Sequence, residues 1–174
     1  MKSKENIVFL GMMGSGKTSL GSLISKKLEL EFFDIDKIIE EKLGMKITKI
    51  FKLKGERFFR EIEEKITLET LEKKKGVIAL GGGAFVNKLI RKEILINHHS
   101  FWLKWNNQIL LNRIHKSTNR PLAVNTDNNE LLELIKKRSI FYSKADHKIN
   151  CDNLSKIQII NRIIKIYKDE KSIS

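Results

Sequence analysis

A strand, a glycine-rich turn and a helix in immediate succession constrain this chain more than any other feature of it. The apolar run Ile7-Val8-Phe9-Leu10 leads into Gly11-Met12-Met13-Gly14-Ser15-Gly16-Lys17-Thr18, and Leu20, Leu23, Ile24 and Leu28 follow at helical spacing. In that context the pattern G-x-x-x-x-G-K-[ST] reads as a phosphate-binding loop. Its glycines permit positive φ, so backbone N–H groups can converge on phosphate oxygens. The helix N-terminus behind them adds partial positive charge. Gly14, Ser15, Gly16, Lys17, Thr18 and Ser19 are the expected nucleotide contacts, with Lys17 reaching the β/γ-phosphates and Thr18 offering its hydroxyl to Mg²⁺.

The rest of the chain continues the alternation. Strand-like runs at Glu31–Asp36, Val77–Leu80, Ser100–Leu103 and His147–Ile149 are separated by segments of helical periodicity. The helical segments are about 37–43, a short helix near 47–55, a longer one to Gly76, then 87–96, 106–114, 131–145 and 157–167. Alternating strands and helices imply an α/β fold of three layers, a parallel sheet flanked by helices on both faces. Ligands then sit outside the carboxyl ends of the strands. With 174 residues and a single proline, one domain spanning 1–174 is expected. No apolar run approaches a membrane span, and the N-terminal residues run straight into the first strand. A cytoplasmic protein follows as the expectation, with Cys151 a small, partly buried residue.

The net charge of +13 raises the question of nucleic acid. The lysines are scattered among Glu and Ile, and the longest basic runs, Lys73–Lys75 and Lys136–Arg138, are three residues long. The expectation is therefore no nucleic-acid and no membrane partner.

Asp34 and Asp36, two apart at a strand end, are expected on one face. They suit Mg²⁺ contact or a substrate hydroxyl, and Asp36 also suits a helix cap. Gly81-Gly82-Gly83 at another strand end allow close backbone approach to a ligand. Arg60 and Arg138 are candidates for a carboxylate, which a guanidinium fork matches bidentately. Arg120, beside Pro121 in the aperiodic stretch 115–129, is a candidate cation for a transferring phosphoryl group. Sequence alone does not rank these above Arg57, Arg91 or Arg113. His98 and His99 read as loop residues, His115 and His147 as isolated, and Trp102 and Trp105 as strand-end packing.

Taken together, Gly11–Thr18, Asp34-Ile35-Asp36, Gly55-Glu56, Phe59-Arg60-Glu61-Ile62-Glu63, Gly81–Gly83, Arg120-Pro121-Leu122 and Arg138…Tyr142 resemble shikimate kinases, over about residues 7–166. The resemblance implies a P-loop kinase fold with five parallel strands in order 2-3-1-4-5, a mobile lid at about 115–129 and a substrate-binding segment at about 34–63. It implies transfer of the γ-phosphoryl of ATP to the 3-hydroxyl of shikimate, with one Mg²⁺, in a monomer. Asp36 would hold the substrate hydroxyls. Arg60, Arg138 and Gly82, between Gly81 and Gly83, would hold its carboxylate, and Glu63 would orient Arg60. Phe51 and Phe59 would form apolar walls.

Arg113 would lie near the adenine, Arg120 would contact the γ-phosphate, and Asp34 would reach Mg²⁺. Lys17, Asp36 and Arg120 form the implied catalytic set. The loop Asn150–Leu154 departs from many relatives in lacking an Arg and a Pro beside the adenine. Two rivals stand beside this reading: a gluconate or nucleoside-monophosphate kinase of the same fold, and a basic P-loop ATPase acting on nucleic acid.

Overall fold

A computed structural model describes residues 4–73, 75–116 and 127–173. Five strands run through it: β1 (Ile7–Leu10), β2 (Glu31–Asp34), β3 (Gly76–Ala79), β4 (His99–Lys104) and β5 (His147–Asn150). All pair in parallel, in the order β2-β3-β1-β4-β5, as expected. The helices among the described residues are α1 (Lys17–Leu28), α2 (Ile35–Leu43), α3 (Ile47–Lys73), α4 (Lys88–Asn97), α5 (Asn107–His115), α6 (Asn128–Tyr142) and α7 (Lys156–Ile173).

β1 is the centre of the sheet, and all four of its side chains are fully buried. A strand covered on both faces has no polar side to show, so a short continuous apolar run is what its position demands. Its register places Phe9 opposite Ala79 on one side and Phe101 on the other. Leu10, Asp34, Ala79, Lys104 and Asn150 consequently close the strands at one common edge. At the opposite edge the buried Asn6 ties three elements together. Its side chain donates to Leu71 O at 3.2 Å and accepts from Gly76 N at 2.8 Å.

Local chemistry explains most boundaries. Gly44 ends α2 at φ 62°, and Gly55 (φ 80°, ψ 171°) breaks α3 into the short and long helices read from periodicity. Asn87 and Asn106 cap α4 and α5 through their side chains.

Several expectations need correction. β2 stops at Asp34, whose carboxylate caps α2 by accepting from Lys37 N. Asp36 therefore lies in the first turn of α2, and the two carboxylates do not share a strand face. His98 lies in the bend between α4 and β4, as expected, but is buried, and the buried His99 opens β4 instead of lying in a loop. His147 is not isolated either, since its Nε2 lies 2.9 Å from Glu170. Cys151 is fully buried, not partly so. A 3₁₀ turn at Ala84–Val86, with no periodic signal of its own, follows the glycines. Lys116 and Asp127 flank the undescribed residues 117–126, within the stretch expected to be a lid.

Candidate active site

The phosphate loop bridges β1 and α1 at the strands' carboxyl edge. Gly14 and Gly16 take φ of 77° and 91°, a region in which a side chain is strained. Gly16 is also the N-cap of α1 and brings no side-chain cap to it. The first-turn N–H groups thus face the loop without a competing side-chain oxygen, as anion binding requires. Lys17 is buried, and its ammonium donates to Gly11 O at 2.8 Å and Met12 O at 3.0 Å. Ser15 is buried, with no hydrogen-bond partner for its hydroxyl among the described residues, while Thr18 and Ser19 are exposed. Thr18 Oγ1 donates to Asp34 Oδ2 at 2.6 Å, so a hydroxyl and a carboxylate stand together beside the loop.

The second half of the site is built on Gly81–Gly83, just past β3. Glu63, buried in α3, accepts from Arg60 Nη1 at 2.7 Å. Arg60 Nε and Nη2 also donate to the exposed Glu56. Burial pushes the Glu63 carboxyl above its ordinary value, Arg60 pulls it back, and Asp36 adds to the rise. Burial works against the Arg60 charge, but Glu63 and Glu56 together hold its guanidinium above its ordinary value. Arg138, buried on α6, places Nη1 3.8 Å from Met12 Sδ, next to the phosphate loop. Arg60 and Arg138 together line a cleft of about 380 Å³, with Glu63, Gly83 and Lys137. Its apolar side includes Val86 and Ile90.

The three glycines owe their identity to side chains as much as to a ligand. None of them takes a positive φ. A Cβ on Gly81 would overlap Glu63 Oε1 and stand 2.8 Å from Asp36 Oδ1. One on Gly83 would stand 2.5 Å from Arg60 Nη1, and one on Gly82 a tolerable 3.4 Å from Arg138 Nη1. Gly81 thus lies against both Asp36 and Glu63, and Gly83 against Arg60. The Gly82 carbonyl accepts from the hydroxyl of Tyr142, which is buried and whose pKa burial raises to about 12. Tyr142 therefore remains a donor throughout the physiological range.

The other arginines separate by their partners. Arg57 is exposed and pairs with Glu61. Arg91 donates to Phe85 O and Val86 O, so it fastens the 3₁₀ turn. Arg113 packs on Gly14, whose added Cβ would meet Arg113 Cβ at 3.4 Å. Arg120 lies outside the described residues. Phe51 and Phe59 stack at 4.7 Å between centroids, Phe59 lies 5.2 Å from the Arg60 guanidinium, and neither lines the cleft.

Sequence reasoning missed the contacts of Trp105 with the phosphate loop and Arg113. Its Nε1–H donates to Ser15 O at 2.9 Å, and the Arg113 guanidinium carbon is 3.6 Å from its ring centre. No spacing rule signals this; only its position just past a strand's carboxyl end hints at it.

The family model for shikimate kinase matches residues 13–168. The chain is 39% identical to a shikimate kinase of Thermodesulfovibrio yellowstonii, across 94% of this chain and 95% of that protein. A structure of shikimate kinase from Acinetobacter baumannii in complex with shikimate superposes with a TM-score of 0.91 at 30% identity, covering 98% of this chain and 96% of that one. A gluconokinase from Sinorhizobium meliloti, covering 99% and 97%, reaches a TM-score of 0.62 at 16% identity and shares the fold alone.

Proposed function

We propose, for a chain that belongs to the shikimate kinase family, that ATP binds at Gly11–Ser19 and shikimate between Asp36 and the Arg60–Arg138 pair. The reaction of the family is transfer of the γ-phosphoryl of ATP to shikimate, at its 3-hydroxyl in this reading. One observation supports the residue assignment: a Cβ on Gly82 would stand 3.5 Å from Met13 N of the phosphate loop and 3.4 Å from Arg138 Nη1, so the two cationic sites lie on either side of Gly82. On one side is the phosphate loop with Lys17, and on the other are Arg60 and Arg138, with Asp36 and Glu63 against the neighbouring Gly81. A donor phosphate and an acceptor carboxylate each find a cation, and the hydroxyl to be phosphorylated finds a carboxylate.

Phosphoryl transfer through a loose transition state needs positioning and charge stabilisation more than covalent help. The Lys17 ammonium would exchange its loop carbonyls for phosphate oxygens. Asp36 would align the attacking hydroxyl, and Arg120 would neutralise charge on the transferring group. Glu63 would hold Arg60 at the angle that meets the carboxylate. Thr18 and Asp34 supply hard oxygen donors side by side, a set that suits Mg²⁺. When bound there, Mg²⁺ would offset charge on the β- and γ-phosphates. The monomeric and cytoplasmic state expected from the sequence belongs to the same proposal, and sedimentation and cell fractionation test it.

A coupled assay of ADP release, with and without shikimate and with and without a Mg²⁺ chelator, tests the reading. Shikimate should stimulate turnover and chelation should abolish it. Stimulation by gluconate or a nucleoside monophosphate in place of shikimate would overturn it.

A further inference from the structure

We infer that Trp105 is a positioning residue for the nucleotide, joining the phosphate loop and Arg113 into one preformed platform; this rests on the reading that ATP binds at Gly11–Ser19. Trp105 follows β4 directly and is only 8% exposed. Packing at a strand end accounts for that burial, and a phenylalanine or leucine would serve it as well. Two further contacts go beyond packing.

The first is the hydrogen bond from the indole N–H to Ser15 O, 2.9 Å long. A trans peptide unit is planar, so the Ser15 carbonyl and the Gly16 N–H are opposite ends of one rigid plate. Drawing the carbonyl toward Trp105 turns the Gly16 N–H the other way, away from the indole. Gly16 holds φ 91° and caps α1, where a phosphate oxygen would take that N–H. The hydrogen bond therefore presets a phosphate donor before any nucleotide arrives.

The second contact is the stack with Arg113. A guanidinium carbon 3.6 Å from the ring centre lies in van der Waals contact with the indole face. An arginine side chain otherwise carries large rotamer freedom, which a ligand must freeze on binding. Here Trp105 freezes it beforehand, and Gly14 packs against the Arg113 stem. A flat cation with one face on indole has its second face left for another π-system, and a purine is one. Asp152 Oδ1 accepts from Asn106 N at 2.6 Å, fastening the loop after β5 to the start of α5 on which Arg113 rides.

The test uses the full chain, ATP, and inorganic tripolyphosphate as a probe that has phosphates but no base. Trp105→Phe keeps a ring and loses the N–H, so calorimetric affinity should fall by about 3- to 10-fold for both probes alike. Trp105→Leu removes the stack as well, and ATP should then lose roughly 10-fold more than tripolyphosphate. KM for shikimate should move less than KM for ATP in both variants. A purely structural role predicts lower thermal stability with unchanged affinity for both probes in Trp105→Phe and an unchanged ratio of ATP to tripolyphosphate affinity in Trp105→Leu, and that result overturns the inference. Should Trp105→Leu not fold, tryptophan fluorescence decides: ATP should quench the wild type more than tripolyphosphate does. That difference should vanish in Trp105→Phe, which retains Trp102, and its persistence there overturns the inference. Absence of ATP binding by the wild type would instead sink the reading of the site as a whole.

Discussion

Replacing Gly83 by alanine tests the proposed grip of Arg60 on the acceptor carboxylate. Gly83 sits at φ −102° and ψ −15°, a backbone conformation that alanine adopts without strain. The obstacle is space, because the new Cβ would stand 2.5 Å from Arg60 Nη1 and 2.9 Å from its Cζ and Nη2. Ordinary contact needs the guanidinium to withdraw by about 1 Å. Arg60 is not at liberty to absorb this, since Nη1 is held by buried Glu63 at 2.7 Å and Nε and Nη2 by Glu56. A displacement of that size forfeits a charged hydrogen bond to the carboxylate, a loss of about 1.5–3 kcal/mol. The corresponding rise in KM for shikimate is roughly 10- to 150-fold.

KM for ATP should stay within about twofold, because the donor site is untouched. Thermal stability should change little, as an alanine at a compatible backbone position also reduces unfolded-state freedom. Gly82→Ala, whose Cβ meets Arg138 Nη1 at 3.4 Å, should lose far less. The measurement is steady-state ADP release over a shikimate titration, with a melting curve for each variant. A KM for shikimate unchanged in Gly83→Ala would refute the claim that Arg60, held where the structure has it, binds the acceptor.

Arg120→Ala should lower kcat by about 10³-fold or more while leaving the shikimate dissociation constant nearly intact; single-turnover kinetics separate the two. Tyr142→Phe removes the donor to the Gly82 carbonyl and should cost about 1–3 kcal/mol of stability by denaturant unfolding, with KM for shikimate rising beside it. His98 supplies a pH dependence. Burial holds its pKa below the ordinary 6.5, against the opposing pull of Glu93 and Glu5 and in concert with His99. Its Nδ1 accepts from Asn6 N, so the neutral ring carries its proton on Nε2. The unfolded chain then binds the extra proton, and stability is complete above pH 6.5 and falls as pH drops below it. His98→Gln should flatten that acid limb in melting curves from pH 7.5 to about 5, leaving the smaller slope due to His99, whose pKa burial also lowers.

What could be read along the chain was what depends on neighbours in sequence. The loop Gly11–Thr18 declared itself because positive φ at Gly14 and Gly16 and a helix start at Lys17 are local requirements. The sheet order followed once the residues resembled a known family, and the break at Gly55 followed from a glycine between two periodic runs. Boundaries set by competition were less legible. Asp34 suits a strand end and a helix cap equally, and the Lys37 N–H decided for the cap.

The reasons behind the acceptor site were tertiary. Glu63, Asp36 and Arg60 lie 18 or more positions from the glycines they press against, and nothing in local spacing announces such a contact. Trp105 is set apart from Trp102 by the Ser15 carbonyl and the Arg113 guanidinium that the fold brings to it. Sequence by itself pointed to a triphosphate-binding loop after the first strand and, by resemblance, to the shikimate kinase family. The tertiary structure decided which side chains hold Arg60 in place, because orientation is set by packing partners and packing partners are chosen in three dimensions.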